Sequence, residues 1–376
     1  MPAGPFISSG PANADAARTS MEQSTTAVWA LTDRGCELGR RLAAELGSPL
    51  FVPRKYAVHP AERVFRHFAS AFSEQFFCFQ HHVCIAATGI VVRCMAPLLQ
   101  DKARDPGVVV LDQEGRYAVS LVGGHLGGAN DLARRLAGLS GGQAVITTAT
   151  DTAGLPALDL LARDLGLSAD RPQRFATLAS ALLDGESVQL FDPARLLWPR
   201  LCEGKGASLF MDIPEPSFWR QDRPGVWVSW RRPPESPGVL GLHPRCLAVG
   251  LGCHRGVSEA AITAFVHAVL AQHGLAPASL AVLATVQARA VERGLHRAAE
   301  SLGVQTLFFT PEELCRVPTP NPSMTAARLI GTPSVCEAAA LLAADAVRLL
   351  MPKIKGDCLT LAVALRTSPN DLCDCS

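Results

Sequence analysis

Short apolar stretches of strand length alternate with stretches of helical period through most of the chain, and this alternation restricts its fold severely. Ala27–Leu31 reads as a strand, and Leu38, Leu42 and Leu46 then recur at helical spacing within Glu37–Leu46. After a Pro-containing turn, Val64, Phe65, Phe68, Ala69 and Phe72 make one apolar stripe over Ala61–Ser73. Val83–Ala87 follows as a strand and Gly89–Leu99 as a short helix. Val108–Leu111 and Tyr117–Leu121 form a hairpin around Gln113-Glu114-Gly115. A helix over Ala129–Leu139, a strand over Ala144–Thr147, two more helical stripes and a strand over Ser187–Phe191 close this half. The pattern resumes at Arg245, with strands at Leu247–Leu251, Leu280–Thr285, Thr306–Phe309 and Leu359–Leu365. Ser258 caps a helix between the first two of these, and Val335, Ala338, Ala339 and Leu342 begin the last long helix. The expected class is α/β: two α/β domains with mainly parallel sheets flanked by helices.

Asp192–Pro244 differs. It holds nine prolines together with Trp219, Trp227 and Trp230, and it has little helical period. It reads as a small Pro/Trp-rich middle segment or linker, with Val226–Trp230 its best strand. The expected order is a disordered leader (1–26), an N-terminal domain (27–191), the middle segment (192–244), a C-terminal domain (245–366) and a tail (367–376). The leader has neither a basic n-region nor an apolar h-region, and Met21 is a candidate natural start.

Composition removes some functions. Lys and Arg number 35 against 34 Asp and Glu, too even a balance for a nucleic-acid binder that works by phosphate neutralisation. No stretch of about 18 uninterrupted apolar residues occurs, so no membrane span is expected. The 12 cysteines are scattered, with no Cys-x-x-Cys pair, which suits buried thiols in a reducing cytoplasm better than a disulfide framework. Cys373 and Cys375 lie close together in the polar tail, and no metal site is expected.

In open α/β sheets ligands gather where strands end. Four strand ends carry candidate chemistry. At Thr88-Gly89-Ile90-Val91-Val92-Arg93 a helix start offers amides to an anion and Arg93 a bidentate contact, or the segment is an ordinary turn. In Gly123-Gly124-His125-Leu126-Gly127-Gly128-Ala129-Asn130 four glycines frame a histidine suited to general acid–base work near neutral pH. Thr147-Thr148-Ala149-Thr150-Asp151 binds polar ligand groups or caps a helix. Gly250-Leu251-Gly252-Cys253-His254-Arg255-Gly256 mimics a dinucleotide fingerprint, but its spacing is one residue too long and no acidic residue closes the next strand. There Gly252, Gly256 and Arg255 suit acidic ligand groups, and Cys253 is a candidate nucleophile made acidic by a helix start. Arg289 and Glu292 read as a solvated ion pair, and Ser334 with Glu337 as a capping box.

Together these segments resemble the cobalt-precorrin-5A hydrolase family of cobalamin biosynthesis, known as CbiG. The resemblance rests on Thr88–Arg93, Asp105–Asp112, Ser120–Asn130 and Val145–Asp151, and in the second half on the Gly252-Cys253 loop, Asn321-Pro322-Ser323 and Gly331–Ala339. It runs from about Ala27 to Leu365 and is weakest over the middle segment. His254, Gln287 and Arg289 depart from the family's usual residues. The resemblance implies opening of the δ-lactone of a cobalt corrinoid and release of acetaldehyde, with no protein cofactor, since the cobalt comes with the substrate. For that chemistry His125 is the candidate base, Asp151 the candidate to orient it or bind water, and Asn130 the candidate donor to the lactone oxygen. Thr88, Gly89, Arg93, Gly123, Gly124, Gly127, Gly128, Thr147, Thr148, Gly252, Cys253, Arg255 and Gly256 then hold the corrinoid and its carboxylates. Other enzymes of the pathway are possible partners. The competing expectation is a non-catalytic carrier of a corrinoid intermediate. The oligomeric state is left open.

Overall fold

The computed structural model describes residues 25–101, 104–125, 127–202, 206–324, 327–328 and 331–366. The readings made for the leader up to residue 24, including Met21, and for the Cys373/Cys375 tail lie outside the described residues. The chain divides into two compact units between Thr148 and Ala149.

The first unit is a seven-stranded sheet in the order β3-β2-β1-β4-β5-β6-β7. Its strands are β1 (Thr26–Ala30), β2 (Leu50–Pro53), β3 (Arg63–Phe65), β4 (His81–Ile85), β5 (Gly107–Leu111), β6 (Tyr117–Val122) and β7 (Gln143–Val145). Its helices are α1 (Asp33–Leu46), α2 (Phe68–Gln75), α3 (Thr88–Met95) and α4 (Ala129–Ser140). α1 starts where Thr32 Oγ1 accepts the Gly35 amide and stops at Gly47, whose φ of 60° suits a residue without Cβ. β1 to β5 are parallel, whereas β6 returns antiparallel to β5 through the expected hairpin and β7 runs parallel to β6. The stripe read as one helix over Ala61–Ser73 is split: β3 takes Val64 and Phe65, and the helix begins at Phe68.

Apolar clusters cover both faces of this sheet, as a mainly parallel sheet requires. On one face Trp29 stacks on Phe51 at 4.0 Å, and Phe72 and Phe76 surround His82. The Trp29 indole can only donate, so His82 Nδ1 accepts from it at 3.0 Å and Nε2–H donates to the Phe76 carbonyl at 2.9 Å. Burial pulls the His82 pKa down to about 4. The unfolded chain therefore takes up this proton first as pH falls. Stability should be full above about pH 6.5 and decline by about 3 kcal/mol as pH drops through 4. Urea unfolding at pH 7 and pH 4.5 checks this, and His82→Gln should flatten the decline.

The second unit contains two sheets. The first has the order β10-β9-β11-β12-β8, from β8 (Leu167–Ala169), β9 (Val188–Phe191), β10 (Phe210–Asp212), β11 (Gly225–Val228) and β12 (Val239–Pro244). Helices α5 (Ala149–Ala153), α6 (Leu158–Asp164), α7 (Arg174–Leu183) and α8 (Trp198–Cys202) accompany it. β9, expected to close the N-terminal half, pairs instead with β10 and β11. The Pro/Trp-rich stretch thus supplies three strands of a sheet. Two of its tryptophans fill one face: Trp227 stacks on Phe191 at 4.0 Å and meets Trp219 edge-on at 5.4 Å.

The last sheet has the order β15-β14-β13-β17-β16, from β13 (Leu247–Cys253), β14 (Leu280–Val286), β15 (Gln305–Phe309), β16 (Leu349–Lys355) and β17 (Leu359–Leu365). α9 (Glu259–Gln272) and α10 (Arg293–Ser301) pack on one face. α12 (Val335–Ala344), preceded by the short α11 (Pro311–Cys315), covers the other through Ala338, Ala339, Ala340, Ala343 and Ala344. The last long helix stops at Asp345, in the left-handed region at φ 53°, and β16 follows it as an unexpected edge strand. Most strand pairs are parallel, so the α/β expectation stands. Among the described residues no helix is long and apolar enough to cross a membrane.

Candidate functional site

Strand direction decides which candidate residues share an edge. β4 ends at Ile85, and Thr88 and Gly89 start α3 at the carboxyl edge of the first sheet, with Arg93 in its last turn, all exposed. Arg93 Nη1 turns back onto the Gly89 carbonyl at 3.2 Å. β6 runs the other way, so its carboxyl end lies beside the start of β5. The His125 loop therefore sits at the opposite edge, one strand length away, about 16 Å for five residues. Arg93 and His125 therefore do not share an edge of this sheet.

The loop itself is tightly built. Gly123 and Gly128 have φ of 70° and 72°. The Gly128 amide donates to the His125 carbonyl at 2.8 Å, and the Ala129 and Asn130 amides donate to Gly123 and Gly124. A Cβ at Gly127 would lie 2.7 Å from the Gly123 carbonyl oxygen, and one at Gly107 would lie 2.2 Å from the Gly127 carbonyl oxygen. These glycines permit backbone to pack on backbone. Asn130 is buried. Its Oδ1 accepts from Ser120 at 2.7 Å, and its Nδ2 donates to Thr148 at 3.1 Å. Asn130 thus ties β6 and α4 to the segment after β7. Gly124 lies against Asn130 and Thr148, while Thr147 is exposed. The His125 ring is half-buried. His81, missed as a site residue, begins β4 beneath this loop, where burial pulls its pKa down against a hydrogen bond to the Gly127 backbone. Asp151 belongs to α5, in the second unit.

The second unit carries a cavity of about 590 Å³ at the carboxyl ends of β13, β14 and β15. Gly252, Cys253, His254 and Arg255 form one wall, Arg289 and Ser334 another, and Lys353 and Lys355 a third. The expected residues Gly252, Cys253 and Arg255 are therefore brought together. Gly256 adjoins them with φ 72°, and its amide donates to Glu292 Oε2 at 2.9 Å. Cys253 is not an activated thiol. Burial raises its pKa, Arg289 only partly opposes this, and the next helix begins at Glu259 rather than beside Cys253. The Arg289–Glu292 pair is not solvated: its side chains are 14% and 16% exposed.

Lys353 and Lys355 escaped the sequence reading because β16 did. The usable signal was their two-residue spacing on a strand, which puts both on one face. Glu337 was read as half of a capping box. Instead Ser334 Oγ donates to the Glu337 carboxylate at 3.2 Å, and Ser334 makes no side-chain cap. Glu337 is fully buried and also accepts from Asn321 N, Asn321 Nδ2 and Lys353 N at 3.1, 2.8 and 3.0 Å. Burial pushes its pKa up, but these bonds outweigh it and hold the carboxyl below its usual range. The ammonium of Lys353 closes the ring on the Asn321 carbonyl. Glu337→Ala strands these donors and should lower stability by about 3 kcal/mol in urea unfolding. Glu337→Gln, which keeps one acceptor oxygen, should cost less.

Three family models match the chain in order. They are cobalamin synthesis G N-terminal over residues 70–151, cobalamin biosynthesis central region over 156–244, and cobalamin synthesis G C-terminus over 247–364. A cobalt-precorrin-5A hydrolase of Priestia megaterium is 28% identical over 310 residues, covering 75% of this chain and 78% of its own length. One of Salmonella typhimurium is 32% identical over 299 residues, covering 78% of this chain and 84% of its own. Protein CobE of a Sinorhizobium species is 34% identical over 122 residues, covering 31% of this chain and 79% of its own.

Proposed function

The chain belongs to the cobalamin synthesis G family, and from that premise we propose that it is a cobalt-precorrin-5A hydrolase. The observation that carries this reading is the match to two relatives of that name over 78% and 84% of their own lengths. In the proposed reaction water adds to the lactone carbonyl, and the ring opens to a carboxylate and a hydroxyl. The hydroxyl then loses its proton, the bond joining its carbon to the macrocycle breaks, and acetaldehyde leaves. The electron pair left on the macrocycle, spread over the ring and its cobalt, takes up a proton. Each step needs a group that gives or takes a proton, and His125 is the proposed one. Cobalt enters as part of the substrate, and the protein is proposed to need no cofactor of its own. The free thiols of the described cysteines suit a reducing cytoplasm.

Anaerobic incubation with the lactone-bearing cobalt corrinoid should release acetaldehyde in proportion to protein. Tight binding without release, with the next enzyme of the pathway absent, would instead favour a carrier of the intermediate.

A further inference from the structure

The cavity of the second unit is lined by Arg255, Arg289, Lys353 and Lys355 against Asp357, the one acidic side chain among the described lining residues. Such a wall attracts anions, and most of its members are exposed enough to remain hydrated. Arg289 is different. Its side chain is 14% exposed, and its Nε is buried without a hydrogen-bond partner among the described residues. Its one ion-pair contact, Nη1 to Glu292 Oε1, is long at 3.7 Å. Glu292 turns its other oxygen to the Gly256 amide at 2.9 Å. A guanidinium buried for structural reasons alone is normally satisfied through its planar fork, with Nε and one Nη on the same carboxylate. Here Glu292 holds the group only at long range, and with Nε shut off from the cavity the terminal nitrogens are the groups that a ligand can reach.

We propose that Arg289 binds a carboxylate of the ligand through its terminal guanidinium nitrogens, and that Glu292 positions it while anchoring the Gly256 turn. The inference rests on the proposed function only in taking that carboxylate from a corrinoid. Arg255, Lys353 and Lys355 add attraction to the cavity, and Arg289 adds geometric selection for a planar two-oxygen group.

The test uses the full chain and two probes, a cobalt corrinoid with its peripheral carboxylates free and the same corrinoid fully methyl-esterified, titrated by absorbance. The wild type should bind the acid at least about tenfold more tightly than the ester. Arg289→Ala should lose most of that preference while leaving the ester's Kd unchanged. Arg289→Lys, which keeps the charge and the packing stem but not the paired terminal nitrogens, should restore only part of it. Equal Kd values for acid and ester in the wild type would overturn the proposal. So would an Arg289→Lys variant that binds the acid as the wild type does. The two readings fail separately. Acetaldehyde release with no acid–ester preference removes the carboxylate site and keeps the reaction, whereas the preference without release does the reverse.

Discussion

Gly250→Ala is expected to destabilise the second unit by about 3 kcal/mol or more, the upper end of overpacking costs. Gly250 lies in the middle of β13, the central strand of the last sheet. A Cβ there would stand 1.8 Å from the Cys336 carbonyl oxygen and 2.7 Å from the Ala340 nitrogen. Both are backbone atoms of α12, so no rotamer change relieves the clash and the helix must lift off the sheet. Lifting it opens gaps along an interface of small side chains, Ala248, Ala284, Ala362 and Ala364 below and the alanines of α12 above. Such residues have no long side chains with which to refill the space. Gly252→Ala is the control. Its Cβ would meet the Thr360 hydroxyl at 2.4 Å, the end of a side chain that can rotate away. Guanidinium unfolding of the two variants decides the matter. A Gly250→Ala protein within about 1 kcal/mol of wild type would refute the close-packing role.

Gly250 also shows where a local reading stops. A glycine-rich strand end looks alike whether the missing Cβ makes room for a ligand or for a helix. Only the crossing of β13 with α12 separates Gly250 from Gly252, two residues on and in the cavity wall. The α/β class was legible because period-2 and period-3.6 apolar patterns are local, as in β1, α1, β13 and β17. β2 and β16 were not. β2 is four residues long and ends in Pro53, and β16 is an edge strand interrupted by Pro352 and carrying two lysines. β9 was found as a strand, but its partners β10 and β11 lie further along the chain, and its own residues do not specify them. Thr88–Arg93 and Gly123–Asn130 each follow a strand and take opposite edges because β6 runs antiparallel to β5, a consequence already contained in the expected hairpin. Arg289 was visible as a residue, but its burial and its long contact to Glu292 are properties of packing.

His125→Ala should slow acetaldehyde release by about a hundredfold to ten-thousandfold, the usual contribution of a positioned acid–base group. The loop that carries His125 is held at both ends. Its Gly123 and Gly128 turns depend on positive φ, and the Gly128 amide is bonded to the His125 carbonyl. Asn130 locks the following helix to Ser120 and Thr148. An imidazole on such a support loses little freedom when it meets a substrate. His81 supplies the comparison, because it lies under the same loop but is pulled below its ordinary range by burial. Its ring lies against Gly128, and it stands as a support for the loop. His81→Gln should cost no more than about tenfold, and that through a loosened loop. Asn130→Ala should resemble His81→Gln in rate and should also lower the melting temperature, since it leaves the Ser120 and Thr148 hydroxyls without their shared partner. An outcome in which His125→Ala releases acetaldehyde at the parental rate removes the acid–base assignment. If His81→Gln then shows the large loss, the role passes to His81.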